Sequence, residues 1–351
     1  MSEPVLVGAA PWVAASSAEQ KYGLFRSDGG GGEWHAVTRG LPERVQIRAL
    51  TVDPAHAGTI YAATQAGPYR SRDGGETWTS LDLQDPDPCW SVTVHPADAR
   101  ILFAGTADAR IYRSDDGGAS WRRLELTLPE GVCRMGFPTR MLRIALDPAN
   151  PDEIYAALEV GGIVRSLDGG RSWSSCNAGL LAFAREDRYK SRIGSDTDSE
   201  GMMDSHAMVI SRARPGTLFL ANRMGLFRST DRGESWQDMA IGRFSPLTYA
   251  RDICVSPHEP NTLLGAFSVA AVSDEGSLYR STDLGESWQR FDRDVAMNST
   301  VMSVAISARD AGRVYCAARR GQVFGTEDGG ASWLQRPLPE GVEGVYAVAC
   351  L

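Results

Sequence analysis

The chain has 351 residues and a formal charge of −8, with 36 Lys and Arg against 44 Asp and Glu and no basic run. That balance argues against nucleic acid as a partner, because such binders concentrate basic residues in a patch or stripe. No stretch approaches the roughly 18 apolar residues of a membrane span, and the opening MSEPVLVGAAPWV has no basic n-region, so the expectation is a cytoplasmic protein without a membrane partner. The six cysteines lack CxxC spacing and read as free thiols rather than as zinc ligands.

In chain order, the first element is an apolar run, PVLVGAA (4–10), followed by a degenerate turn, SDGGGGEW (27–34). From residue 47 a repeating unit appears. IRALTVDP (47–54), TIYAAT (59–64), GPYRSRD (67–73) and WTSLDL (78–83) read as four short strands separated by turn residues. The turn joining the last two, SRDGGETW (71–78), returns as SDDGGASW (114–121), SLDGGRSW (166–173), STDRGESW (229–236), STDLGESW (281–288) and TEDGGASW (326–333). Counting the degenerate copy, seven turns begin 44, 43, 52, 63, 52 and 45 residues apart. That spacing suits one four-stranded sheet per repeat. Within each turn, Gly gives backbone freedom and the Asp carboxylate accepts nearby amides. The Trp supplies a large surface to bury.

The first strand of the unit recurs as SVTVHP (91–96), LRIALDP (142–148), HAMVISRA (206–213), RDICVSP (251–257) and VMSVAISA (301–308). Its seventh copy is the C-terminal VYAVACL (345–351), whereas PVLVGAA aligns with the second strand. The last strand is therefore expected to complete the first blade and hide its sheet edges. The prediction is an all-β protein: a single closed seven-bladed β-propeller spanning 1–351, with four antiparallel strands per blade.

The recurring Ser-x-Asp-x-Gly-x-x-Trp turn resembles the Asp-box, or BNR, repeat family, and the resemblance covers essentially the whole chain. Relatives include sialidases, xyloglucanases, sortilin receptors and photosystem II assembly-factor propellers. The resemblance implies the fold, whereas the family spans enzymes, receptors and scaffolds. Sialidase activity is disfavoured, because the Phe/Tyr-Arg-Ile-Pro motif is missing near the N-terminus and seven blades replace six. A sortilin-like receptor is rejected, since neither a signal peptide nor a membrane span is read.

In an antiparallel blade the Asp boxes and the turns between first and second strands share one face. Nearly all extra length falls on the opposite face, at 11–22, 125–139, 182–205, 240–249 and 267–277, which marks it as the working face. Aligning the first strands places Arg48, Trp90, Leu142, His206, Arg251, Met302 and Tyr346 in a ring at its mouth. Mostly small residues (Ala49, Ser91, Ala207, Ser303, Ala347), with Arg143 and Asp252, are expected one step deeper. Such a ring has the makings of a ligand pocket. Asn222, Arg223, Arg319 and Arg320, with Asp108, Arg110 and Glu159, come from loops placed to reach the same mouth.

His206 follows the longest insertion, 181–205, which reads as a lid over the channel. The acidic run Asp196, Asp198, Glu200 and Asp204 with His206 raises a divalent-metal site near Asp204 and His206, although the spacing fits no EF-hand loop. Otherwise no cofactor is expected. The first functional reading is an enzyme acting on a polar, anionic or sugar-like small molecule. Arg48 and Arg251 would hold a carboxylate, with Trp90, Asn222, Arg223 and Arg319 as further binding residues. His206 would move a proton, with Tyr346 as acid. That set suits β-elimination and is similar to what some seven-bladed propeller lyases use. Glycoside hydrolysis is the neighbouring option and would recruit carboxylates such as Asp252, Glu159, Asp108 or Glu200. The alternative is a non-catalytic assembly scaffold that engages a protein partner through the same Arg-lined face.

Overall fold

The computed structural model describes residues 3–11, 20–29, 32–56, 58–85 and 87–351. Its local unit is the Asp box, which folds the same way each time the full motif appears. Ser71 Oγ donates to Asp73 Oδ1 (2.8 Å) and accepts the Gly75 amide (2.8 Å). The Thr77 amide donates to Asp73 Oδ1 (2.9 Å) and the Thr77 hydroxyl to Oδ2 (2.6 Å). Asp116, Asp168, Asp231, Asp283 and Asp328 repeat the pattern with a serine hydroxyl in the Thr77 position. A hydroxyl one residue before the Trp is thus part of the motif. Gly75 is required twice: its φ is +89°, and a Cβ there would lie 2.3 Å from Leu6 of the first blade. The degenerate first copy has Gly29 where the others have Asp, and Ser27 Oγ donates instead to the Gly32 carbonyl (2.8 Å).

These turns set an acid limit on the fold. Donation by Ser120, Ser172 and Ser332 holds Asp116, Asp168 and Asp328 at about 2, below the ordinary 3.8. A carboxylate lowered on folding contributes stability above its unfolded value and loses it as pH falls through the folded one. Far-ultraviolet circular dichroism is therefore expected to hold its β signal down to about pH 3.8 and lose it toward about pH 2. Loss of that signal above 3.8 would contradict the assignment.

Seven four-stranded antiparallel sheets result. Six are consecutive in sequence. The seventh has the order Val345–Cys350, Val5–Ala9, Leu24–Ser27, His35–Val37, with Val5 opposite Cys350 and Gly8 opposite Ala347. The ring closes as the repeat count predicts. Arg313 Nη2 donates to the Glu3 carbonyl (2.8 Å) and Ser307 Oγ to the Leu351 carbonyl (3.0 Å), so the last blade holds the two inner strands of the composite sheet at one end.

Apolar core fills the spaces between blades, where box tryptophans also join neighbours. Trp121 Nε1 donates to the Leu81 carbonyl (2.8 Å) and Trp236 Nε1 to that of Cys176 (2.9 Å). All six cysteines are free thiols, five of them buried. The insertion folds as a helix at Asn177–Phe183, a turn at Asp187–Tyr189 and a short helix at Glu200–Met203. No helix among the described residues is long and apolar enough to cross a membrane. Within the expected long loop at 11–22, residues 12–19 lie outside the described ones.

Candidate functional site

Each innermost strand carries a one-residue β-bulge at its mouth end, and the pairing skips one residue per blade. Ile47 pairs with Thr64 and Ala49 with Ala63, so Arg48 is unpaired. The other skipped residues are Trp90, Leu142, His206, Arg251, Met302 and Tyr346. A bulge bends a strand and re-aims a side chain, often beside an active site. The seven skipped residues are the seven of the mouth ring, and all line one cavity of about 680 Å³. That volume lies in the range of small-molecule sites.

Five arginines line this cavity (Arg48, Arg140, Arg143, Arg223, Arg251) against three carboxylates, Glu159, Glu200 and Asp204. Pairing sorts them. Arg140 Nη1 meets both Glu159 oxygens (2.9 and 3.1 Å), and Arg223 grips Asp204 through Nε (2.9 Å) and Nη2 (2.6 Å). Glu200 accepts the amides of Ile193, Gly194 and Ser195 and the Ser195 hydroxyl, which ties the insertion's tip to its own base. Arg48 and Arg251 have no carboxylate within ion-pair distance among the described residues. Arg48 Nη2 donates to Gln46 Oε1 (2.7 Å), while its buried Nε and Nη1 lack hydrogen-bond partners. Burial, opposed by Tyr346 and reinforced by Arg140, pulls its pKa down to about 10. Around Arg251 burial is outweighed by Tyr249, Tyr346, Asp204 and Glu159, which raise its pKa.

Trp90 is the aromatic centre of one wall, with the Arg48 and Arg140 guanidinium carbons each 4.4 Å from its ring and Tyr346 edge-on at 6.2 Å. On the other wall, His206 Nδ1 lies 2.7 Å from the Ala250 carbonyl. A carbonyl only accepts, so Nδ1 carries the hydrogen and Nε2 of the neutral ring is the acceptor. Nε2 faces the Tyr249 hydroxyl at 3.2 Å and Asp204 Oδ2 at 3.4 Å. Burial lowers the His206 pKa, opposed by Asp204, and burial raises that of Tyr249. His206 is 6% and Tyr249 4% exposed, and both line the cavity.

Other expected residues fall elsewhere. Asp252 does not line the cavity. Its Oδ1 accepts Arg143 Nη2 (3.2 Å) from two blades away, and its Oδ2 accepts the Val304 amide (3.0 Å) of the next blade. It is a structural tie beneath the mouth rather than an acid facing it. Asp252→Ala is expected to lower stability by about 1–3 kcal/mol, because the Val304 amide is left unsatisfied. Denaturant unfolding measures it, and an unchanged midpoint would refute the role. Asn222 is fully buried: its Oδ1 accepts the Met224 and Gly225 amides and its Nδ2 donates to the Met202 carbonyl (3.0 Å). Neither it nor Arg319, Arg320, Asp108 or Arg110 lines the cavity; Arg320 pairs with Asp274, and Arg110 with Asp85, Asp87 and Asp108.

The acidic run does not converge on a metal. Asp198 pairs with Arg192, Glu200 holds amides and Asp204 holds Arg223; no group of three or more His, Cys, Asp or Glu poised for a metal occurs among the described residues. Ile193, Glu200 and Asp204 of the insertion do line the cavity. Tyr249 and Arg140 went unnoticed in the sequence. Each reaches the mouth from the end of a long loop, and nothing in the local pattern marks its direction.

Comparison with known proteins agrees with this architecture. The BNR/Asp-box repeat family matches residues 69–80. Xyloglucanase Xgh74A of Acetivibrio thermocellus is 24% identical over 152 residues, which is 42% of this chain and 17% of that protein. The GH74 xyloglucanase structure from Xanthomonas campestris superposes with a TM-score of 0.63 at 19% identity, covering 82% of this chain and 45% of that one. The structure of YCF48 bound to D1 peptide gives 0.53 at 16% identity, covering 84% and 82%. The chain thus spans under half the length of the xyloglucanases it matches. Seven four-stranded blades in a ring make it a seven-bladed β-propeller, and its turn at 69–80 matches the BNR/Asp-box repeat.

Proposed function

We propose that the protein is an enzyme that removes a proton next to the carboxylate of a sugar-like small molecule and eliminates the β-substituent. One observation carries this reading: the Tyr249 hydroxyl lies 3.2 Å from the acceptor nitrogen of a buried His206, in a cavity where Arg251 and Arg48 have no carboxylate partner among the described residues. The two guanidiniums bind the substrate carboxylate and stabilise the charge that builds on it in the transition state. Tyr249 gives its proton to His206 Nε2, and its phenolate takes the substrate's α-proton. The C–H electron pair becomes the new carbon–carbon double bond. The bond from the β-carbon to its oxygen breaks, and Tyr346 protonates the departing oxygen. The α-proton has already restored the Tyr249 phenol, and transfer of the His206 proton through solvent to Tyr346 restores the second phenol and the neutral imidazole.

Glycoside hydrolysis has less support. It needs two available carboxylates across the scissile bond, and Glu159, Glu200 and Asp204 are each held by arginines or amides. The test is incubation with uronate-containing oligosaccharides while following the ultraviolet absorbance of the unsaturated product. Absorbance should grow with the protein and not with its Arg251→Ala variant. Neutral reducing sugar formed without unsaturation would favour hydrolysis.

A second reading, a scaffold that holds a protein partner at the same mouth, is supported by the likeness in fold to the peptide-bound YCF48 over 84% of this chain and by exposed apolar residues in the mouth-face loops. Ile193 is 62%, Val269 59% and Val272 55% exposed. Recovery from cell extract of one stoichiometric partner, lost in Arg251→Ala, would select it.

A further inference from the structure

The elimination leaves a proton on His206 while the substrate reacts, and one fixed anion stands beside that ring. The insertion ends in the short helix Glu200–Met203, whose Met202 and Met203 are fully buried. Asp204 follows directly, and the Asn222-Arg223 turn of the same blade pins this end of the insertion. Asn222 Nδ2 donates to the Met202 carbonyl (3.0 Å) and the Arg223 amide to the Asp204 carbonyl (3.2 Å). The Arg223 guanidinium donates twice to Asp204 Oδ2, through Nε and Nη2. Asp204 is 5% exposed. Burial would raise its carboxyl, but His206 and Arg223 outweigh burial and hold it well below the ordinary carboxylate range. The result is an ionised carboxylate in a fixed place, with the oxygen that takes both guanidinium bonds 3.4 Å from His206 Nε2.

In the resting ring Nε2 carries a lone pair, because Nδ1 holds the hydrogen against the Ala250 carbonyl. A lone pair facing a carboxylate oxygen gains nothing from it. When the Tyr249 proton reaches Nε2, the same contact becomes a charge-assisted N–H to carboxylate bond. An interaction that strengthens only as the reaction proceeds raises turnover rather than ground-state affinity. Building on the elimination reading, we infer that Asp204 is a positioning residue of the relay, holding the imidazolium that forms when Tyr249 gives up its proton. Asp204 itself takes no proton: the proton moves from the Tyr249 oxygen to Nε2 and stops there. The surrounding charges leave this part to Asp204. Arg251 opposes protonation of the ring, Arg143 is turned to Asp252, and Glu159 is held by Arg140.

The test is an NMR titration of the His206 ring nitrogens in the intact protein, assigned by their loss in His206→Gln. Asp204→Asn keeps the side-chain shape and removes the charge. It should lower the His206 midpoint by at least about one pH unit, the worth of one charge-assisted bond. Arg223→Gln keeps the carboxylate but strips its counter-charge, so the midpoint should rise. A site that was merely loosened would move the same way in both variants, and Arg223→Gln decides alone if Asp204→Asn does not fold. In the elimination assay Asp204→Asn should lose at least about tenfold in kcat with KM unchanged, because Arg48 and Arg251 remain. Equal midpoints in wild type and Asp204→Asn, or a wild-type ring that never gains a proton while the fold persists, overturn the inference. The titration needs no substrate. Expected midpoints without any unsaturated product would count against the elimination chemistry, whereas product with unmoved midpoints would count against Asp204 alone.

Discussion

Tyr249→Phe is expected to cut turnover by about 10²–10⁴-fold while leaving KM and the thermal midpoint nearly unchanged. The phenyl ring keeps its packing against His206, whose ring centre is 4.8 Å away, and only one hydroxyl is lost. That loss costs about 0.5–1.5 kcal/mol at most. Binding persists because Arg48 and Arg251 are untouched. The acid limb of kcat/KM carries a second signature. The relay needs His206 neutral, and burial lowers its pKa from the ordinary 6.5, so activity should hold at pH 6.5 and fall only below it. Steady-state kinetics across pH measures both. Wild-type turnover in Tyr249→Phe would remove the tyrosine from the chemistry. A limb above 6.5 would mean that another group titrates.

Deleting residues 345–351 is expected to abolish cooperative folding. Val345, Val348 and Cys350 are at most 5% exposed, and the strand packs between the innermost strands Ile47–Val52 and Val301–Ile306 while pairing with Val5–Ala9. Exposing three such side chains costs about 1.5–3 kcal/mol each. That sum is comparable with the whole stability of a typical domain, about 5–15 kcal/mol. The deletion also bares the edge of Val5–Ala9, inviting aggregation. A melting curve near that of the intact protein would show that ring closure contributes little. Aggregated protein, or soluble protein without a sharp transition, is the expected result.

Much of this architecture is written in the repeat. The boxes, the seven first strands and the strand borrowed from the C-terminus are local patterns with fixed periods, and the mouth ring follows once the strands are aligned by their opposite ends. Four features do not follow from the local pattern. The bulges leave no mark in the side-chain pattern, because the skipped residue ranges from Arg48 to Leu142 to Met302. Arg140 and Tyr249 reach the mouth from loop ends whose path depends on tertiary packing. Asn222 was assigned to the ligand although it opens a tight Asn-Arg-Met-Gly turn, where an Asn carbonyl most often accepts turn amides. Asp252 is hidden for a different reason: its partners, Arg143 and the Val304 amide, are far away in sequence, so the tie across blades is invisible until the ring closes.

The claim on which the account turns is that the bulged ring forms a carboxylate-binding mouth with Tyr249 at the reacting carbon. The most direct measurement is a crystal structure of Tyr249→Phe soaked with a uronate disaccharide. The sugar is expected in the mouth cavity, with its carboxylate bonded to the Arg251 and Arg48 guanidiniums and its α-carbon facing ring 249. A disaccharide ordered anywhere else, or seated in the mouth with its carboxylate turned to solvent, would contradict it.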